Sequence, residues 1–257
     1  MKITPELVTP KQLEILLLLY RFRFLNRIQI QKFLNHKSHT LITTWLKDLT
    51  DRQITNRIYS QTVGDINKPA IYYLGLKSRH ILKNQKDCNP ALLLRVYREK
   101  SSSQAFQEHW LFMADLYFCF LAITQKQNSE LQFFTTTDLA NFGYVPLPLP
   151  DAYILVKDKK ESKRYFLEVI EETVPHFAIR KKIDQYVNYY KAGYWQNHVK
   201  HPFPKVFLIY PNQKVKNLLL RTIPEKLDKA EVDMSFFLGS KKEIKENGIQ
   251  ASTWETV

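Results

Sequence analysis

The chain has 257 residues, of which 44% are hydrophobic, 13% aromatic and only six glycine, a composition that supports packed cores and excludes low-complexity or collagen-like chain. Its formal net charge of +13 is unevenly spread: residues 1–100 hold 18 Lys and Arg against 7 Asp and Glu, a net of +11, whereas residues 101–257 hold 20 against 18, a net of +2. That asymmetry favours two domains, the first of them suited to a polyanionic partner.

Thr9, Pro10 and Gln12 form a capping-box pattern, with a hydroxyl at the cap, proline in the first turn and glutamine three residues on. A helix over residues 9–20 follows, with Leu13, Leu16, Leu17 and Tyr20 as its buried stripe. Asn26 can cap a second, short helix over 27–34, in which Ile28, Ile30 and Leu34 face the same core. Residues 35–38 make a turn. A third helix, 38–51, turns Ile42, Trp45, Leu46 and Leu49 inward and leaves His39, Thr40, Thr43, Thr44 and Lys47 on the opposite face. Residues 54–61 and 70–74 alternate as two strands around turn residues 64–68, and 76–82 closes the unit with one or two helical turns.

This order predicts a winged helix-turn-helix over residues 1–90. The polar face of the third helix would enter the major groove of double-stranded DNA, its short side chains allowing close approach and Lys47 reaching a phosphate or a guanine edge. Arg57 and Lys68 on the hairpin, and Lys77 and Arg79 beyond it, are the further expected DNA contacts. The plain alternative is a small helical core with a hairpin, used for dimerisation or protein contacts. The concentration of positive charge in this part of the chain argues against it.

Residues 91–106, with the serine-rich stretch 101–103, read as a linker. A second domain over 107–240 begins with a helix that is apolar almost all round, 107–125, and must be buried. Strands follow at 131–134, 151–156 and 164–170, then a helix at 174–192, a strand at 205–210, a helix capped by Asn212, and a strand at 234–238. Proline at 146, 148 and 150 keeps the approach to the second strand extended. Residues 241–257 read as a polar tail.

Two acids stand where chemistry could be done: Asp151, after Pro150 at the start of one strand, and Glu168 inside the next. In a hairpin they would meet at one end and offer hard oxygens to Mg2+ or Mn2+, with Glu108 as a third candidate ligand. Otherwise Asp151 caps a strand and Glu168 pairs with a lysine, and no cofactor is required. Tyr186, Tyr189, Tyr190, Tyr194 and Trp195 offer base-stacking platforms in one reading and core in the other. The seven histidines and two cysteines, Cys88 and Cys119, show neither zinc spacing nor a disulfide framework. No apolar leader or membrane span is evident, so a reducing cytosol is the expected location.

Pro-Asp on one strand followed by an acid on the next, with helices to either side, resembles the PD-(D/E)xK nuclease fold. The lysine of that pattern is missing, because Ile170 occupies its place; Lys181 or Lys182 on the following helix are candidates to replace it. Taken together, residues 9–16, 20–25, 72–75, 109–111, 150–153, 165–169 and 189–190, in that order and spacing, resemble the replication-relaxation family of plasmid and mobile-element proteins. The resemblance implies an α+β chain, a winged helix followed by an α/β restriction-endonuclease-like domain with a small mixed sheet. It further implies a bacterial DNA-binding protein tied to plasmid replication or mobile-element control, with magnesium- or manganese-dependent endonuclease activity as the alternative. Because a winged helix presents few base contacts, paired half-sites and hence a homodimer are expected. Two departures stand out: Ile170, and Gln53 where winged helices often place glycine.

Overall fold

The computed structural model describes residues 8–59, 68–159 and 161–257. They form two compact units, Met1–Asp115 and Leu116–Val257.

The first unit opens with α1 (Pro10–Phe22), whose capping box is formed: the Thr9 hydroxyl accepts from the Gln12 amide and the Gln12 side chain accepts from the Thr9 amide. Its buried face is Gln12, Ile15, Leu16, Leu19, Tyr20 and Phe22, not the predicted stripe, since Leu13 and Leu17 are half-exposed. Four consecutive leucines at 16–19 offer an apolar residue at every helical phase, so tertiary packing sets the rotation. Gln12 then lies inside and donates to Asp48 at 2.6 Å.

A two-residue strand, β1 (Leu25–Asn26), leads into α2 (Arg27–Phe33), α3 (His39–Asp51), β2 (Thr55–Ile58) and β3 (Ile71–Leu74). The three strands form one antiparallel sheet in the order β1-β3-β2. Asn26 caps α2 through a second capping box, which fixes the helix phase with Gln29 and Ile30 inward. Ile28, two residues before Ile30 and so on the other side of the helix, is 54% exposed, contrary to the expectation that it joins the core. The predicted turn at 64–68 lies, except for Lys68, outside the described residues.

Beyond the hairpin come α4 (Ser78–Leu82), α5 (Pro90–Leu93), a 3-10 turn (Val96–Ser101) and the long α6 (Gln104–Lys126). The stretch expected to be a linker is therefore built into the first unit: Glu99, 6% exposed, receives Arg23 at 2.5 and 2.8 Å, and Gln29 donates to the Leu111 carbonyl and the Asp115 carboxylate of α6. The two units divide within α6, between Asp115 and Leu116, rather than at residue 107.

The second unit is a mixed six-stranded sheet, making the chain α+β. Its elements are β4 (Glu130–Thr135), α7 (Thr136–Leu139), β5 (Ala152–Lys157), β6 (Ser162–Val169), α8 (His176–Lys191), α9 (Tyr194–Val199), β7 (Lys205–Tyr210), α10 (Gln213–Ala230), β8 (Phe236–Ser240), α11 (Lys241–Asn247) and β9 (Glu255–Thr256). The strands lie in sequence order; β4, β5 and β6 pair antiparallel, β6, β7 and β8 parallel, and β9 returns antiparallel to β8. Helices α8 and α10 are the crossovers that the parallel pairs require, and they pack on each other. Phe166, Val206, Leu208, Phe236 and Leu238 from the sheet share one core with Ile183, Tyr186, Trp195 and Leu219.

The polar tail expected at 241–257 is instead part of the fold. Asn212, as predicted, caps α10, but the strand predicted at 234–238 runs on to Ser240, which caps α11. Trp254 stacks on Phe207 with ring centroids 4.0 Å apart. Gly239 lies so close beneath Trp254 that a Cβ there would come within 2.8 Å of the ring. One aromatic residue in a polar segment thus anchors an edge strand.

Candidate functional site

Two sets of polar residues stand apart from the hydrophobic cores, one in each unit. In the first, Ser38 caps α3 by accepting from the Leu41 amide, and burial of Ile42, Leu46 and Leu49, all 0% exposed, fixes the helix rotation. His39, Thr40, Thr43, Thr44 and Lys47 are all exposed on the remaining face. Thr43 and Thr44 return their hydroxyls to the carbonyls four residues back, of His39 and Thr40, each at 3.0 Å. A hydroxyl so held on an exposed helix can be re-aimed toward another acceptor at little cost. Trp45, expected inside, is half-buried and meets the His36 ring edge-on at 5.2 Å.

Arg57 and Lys68, on either side of the hairpin, are exposed, with Arg57 lying over the Tyr59 ring at 5.2 Å. Lys77 and Arg79 belong elsewhere: they line a groove beside α4 and α5 to which α3 contributes nothing.

In the second unit the β5–β6 register pairs Ala152 with Leu167, which brings Asp151 and Glu168 to the same sheet end on adjacent strands. Asp151 accepts from the Val169 amide at 2.7 Å. Glu168 is 5% exposed, and its Oε1 receives both the Tyr186 hydroxyl at 2.5 Å and the Lys182 ammonium at 2.9 Å. Those partners are four residues apart on α8, hence on one helical face. Lys182 also reaches the Leu149 carbonyl at 3.4 Å and Gln185 donates to the Pro148 carbonyl at 2.6 Å, so α8 is tied to the proline-rich approach to β5. Lys181, one residue away, points to solvent.

Burial pushes the Glu168 carboxyl up to about 7, against the lowering effect of Lys182 and with a further raise from Asp151. Burial and the adjoining carboxylate likewise drive the Tyr186 hydroxyl well above its ordinary value. The hydroxyl therefore stays protonated and donates. Ile170, 9% exposed, is core and its amide donates to Ile209, so the missing lysine has no side-chain substitute on β6. Lys182 brings an ammonium to the same acid from α8.

Glu108, the third candidate ligand, belongs to the other unit from the two acids. It lies on the first part of α6, exposed and accepting from Gln104 at 2.7 Å. Among the described residues no three His, Cys, Asp or Glu side chains are placed to hold a metal ion together. Asp151 and Glu168 alone offer the two carboxylates from which a protein commonly holds Mg2+, water and substrate oxygens filling the other positions. That donor set fits, with Lys182 in competition for Glu168.

Of the aromatic residues proposed as stacking platforms, Tyr186 and Trp195 are wholly buried core. Tyr189 and Tyr190 are half-buried around Phe203, and Tyr194, 42% exposed, stacks on His198. Cys88 is buried, with its thiol pushed up to about 11 by burial, and Cys119 is half-buried. Among the described residues no helix is long and apolar enough to cross a membrane. Sequence reasoning counted Tyr186 only as core or stacking ring. The signal for its polar role was its spacing of four from Lys182 on the helix after the acid-bearing strand.

No curated protein matches the chain significantly. Among solved structures it is similar to the restriction endonuclease FokI, at 13% identity and a TM-score of 0.33, covering 95% of this chain and 45% of that one. It is also similar to FokI bound to DNA, at 13% identity and a TM-score of 0.31, covering 93% and 45%. The chain thus spans less than half the length of those structures. The family model described as replication-relaxation matches residues 16–206, and the chain belongs to that family.

Proposed function

We propose that this member of the replication-relaxation family is a double-stranded-DNA-binding protein that controls replication or transcription of a plasmid or mobile element. Residues 8–90 act as a winged helix-turn-helix, α3 entering the major groove and the β2–β3 hairpin, with Arg57 and Lys68, following the backbone. The observation that carries this reading is the two-sidedness of α3: Ile42, Leu46 and Leu49 are sealed inside while His39, Thr40, Thr43, Thr44 and Lys47 are all exposed together. The +11 balance of the first hundred residues supplies the phosphate attraction. The second unit then serves as a nuclease-like but non-catalytic support and as the surface for a homodimer, which would pair half-sites.

The test is selection of a bound duplex from random DNA by the full chain, followed by titration at increasing salt. Affinity should fall steeply as salt rises. Absence of binding at low salt would refute the proposal, and a monomer by light scattering, both free and on DNA, would remove the dimer.

Lys182 favours a second reading, a metal-dependent DNA endonuclease targeted by the first unit. Mg2+ or Mn2+ held by Asp151 and Glu168 would supply Lewis-acid stabilisation of a phosphodiester. Lys182 would hold positive charge beside the phosphate, where Ile170 cannot; such a contact is worth about 10² to 10³ in rate. Metal-dependent cleavage lost in both Asp151→Asn and Glu168→Gln would establish this reading. No cleavage, with DNA binding intact, leaves the first standing.

A further inference from the structure

In the first unit, α4 and α5 enclose an open groove of about 490 Å³ whose apolar wall includes Leu76, Leu93 and Leu94 and whose rim carries Lys77, Arg79 and Lys83. Leu76 and Leu94 are each 57% exposed, although leucine is ordinarily withdrawn from water. A second hollow shares Leu76 and Lys77 and adds Tyr97, also 57% exposed, and Lys100. Among the described residues no Asp or Glu lines either hollow. An apolar strip whose charged neighbours, among the described residues, are all cationic is the complement of an acidic segment with one apolar face.

We infer that this groove is a docking site for an acidic amphipathic segment of a partner protein. Duplex DNA would use the cations and leave the two exposed leucines wet, because its outer surface is phosphate and sugar. Single strands need successive aromatic platforms, and among the described residues no Phe, Tyr or Trp lines the groove between α4 and α5, Tyr97 in the adjoining hollow being the one exposed ring. An amphipathic segment satisfies both features: its leucine-like side chains cover the apolar wall while its carboxylates meet the rim, the mode by which amphipathic helices enter apolar grooves. Charge attraction would speed and orient the encounter, and the leucines would hold the complex. Lys77 and Arg79, expected from the sequence to contact DNA, are thereby assigned to a protein partner.

The experiment is fluorescence anisotropy of the full chain with a labelled helix-forming peptide of Leu and Glu, its leucines on one face, and with a scrambled peptide of the same composition. The patterned peptide should bind, and the scrambled one should bind at least about tenfold more weakly. Leu94→Asp and, separately, Lys83→Glu should each weaken binding about tenfold. Both residues are exposed, and an unchanged thermal transition would certify the fold. Unlabelled duplex DNA should not displace the peptide. Equal binding of the two peptides, an unaffected Leu94→Asp variant, displacement by duplex DNA, or no binding at low salt would each overturn the inference. None of these outcomes bears on DNA recognition by α3.

Discussion

The two polar clusters solve opposite problems. On α3 the polar side chains lie in water, and the Thr43 and Thr44 hydroxyls bond carbonyls of their own helix. Around Glu168 the polar groups are withdrawn from water and satisfy one another: a carboxylate, an ammonium and a phenol. Exposed groups cost little to hold and are available to a ligand, whereas buried ones must be paired or they destabilise the fold. Substitutions on α3 should therefore alter binding and spare stability. Substitutions around Glu168 should alter stability and its response to pH.

The largest expected effect is that pH response. Glu168 sits at about 7 in the folded chain against an ordinary value of about 4.3. A group whose folded value is raised favours folding most at acidic pH, below the unfolded value, and loses that contribution as pH rises through about 7. From pH 4 to pH 8 the loss is about 3 kcal/mol. Glu168→Gln has no such titration, so it should gain on the native chain across that window. Urea denaturation of both proteins at several pH values measures it. Parallel stability curves would mean that Glu168 is effectively solvated, and the contrast between the clusters would collapse.

Next comes Tyr186→Phe, which removes one of the two donors on the buried carboxylate and nothing else of the ring. The expected loss is about 1.5 to 3 kcal/mol at pH 8, where Glu168 is charged, and less at pH 5. A loss that did not depend on pH would place the effect in packing rather than in the hydrogen bond.

The ease of reading the two clusters from sequence differed for the same reason. The α3 surface depends on contacts local to one helix: Ser38 at the cap, Ile42, Leu46 and Leu49 at helical spacing, and what is left over faces out. The acids were legible too, because Pro150-Asp151 and Glu168 fall on strands joined by a hairpin. Their partners were not, since the choice between Lys181 and Lys182 depends on how α8 is rotated against the sheet. The same ambiguity misled the reading of α1, where leucines at every phase hide the buried face, and of Ile28, where one capping residue fixes the rotation of a seven-residue helix. The end of the chain failed in another way: β9 pairs with β8 across the fold, and only Trp254 marked it as more than a polar tail.

On the exposed side of the comparison, Thr44→Ala and Lys47→Ala should each reduce discrimination between the selected duplex and random duplex by about 1 to 3 kcal/mol if α3 reads bases. Thermal stability should stay within about 0.5 kcal/mol of the native chain. Lys47→Ala that weakened all duplexes alike would assign Lys47 to phosphate instead of a base. A variant that unfolded more easily would show that the face is structural after all.

The smallest expected effect lies at the end of α3, where the exposed helix hands over to the hairpin. Arg52 is the C-cap and Gln53 follows it with φ 60. The Gln53 amide donates to the Thr50 carbonyl and the Ile54 amide to the Leu49 carbonyl, each at 2.9 Å, the pair of bonds that defines a Schellman ending. Glycine is the usual residue at such a left-handed position, because a Cβ there costs about 1 kcal/mol. Part of the relief on substitution is offset by the larger conformational entropy that glycine brings to the unfolded chain. Gln53→Gly should therefore stabilise the first unit by a few tenths to about 1 kcal/mol, read by urea denaturation, with DNA affinity unchanged. Gln53→Ala keeps the Cβ and should show no such gain. If alanine and glycine act alike, the backbone strain assigned to this junction is absent and the Gln53 side chain itself matters.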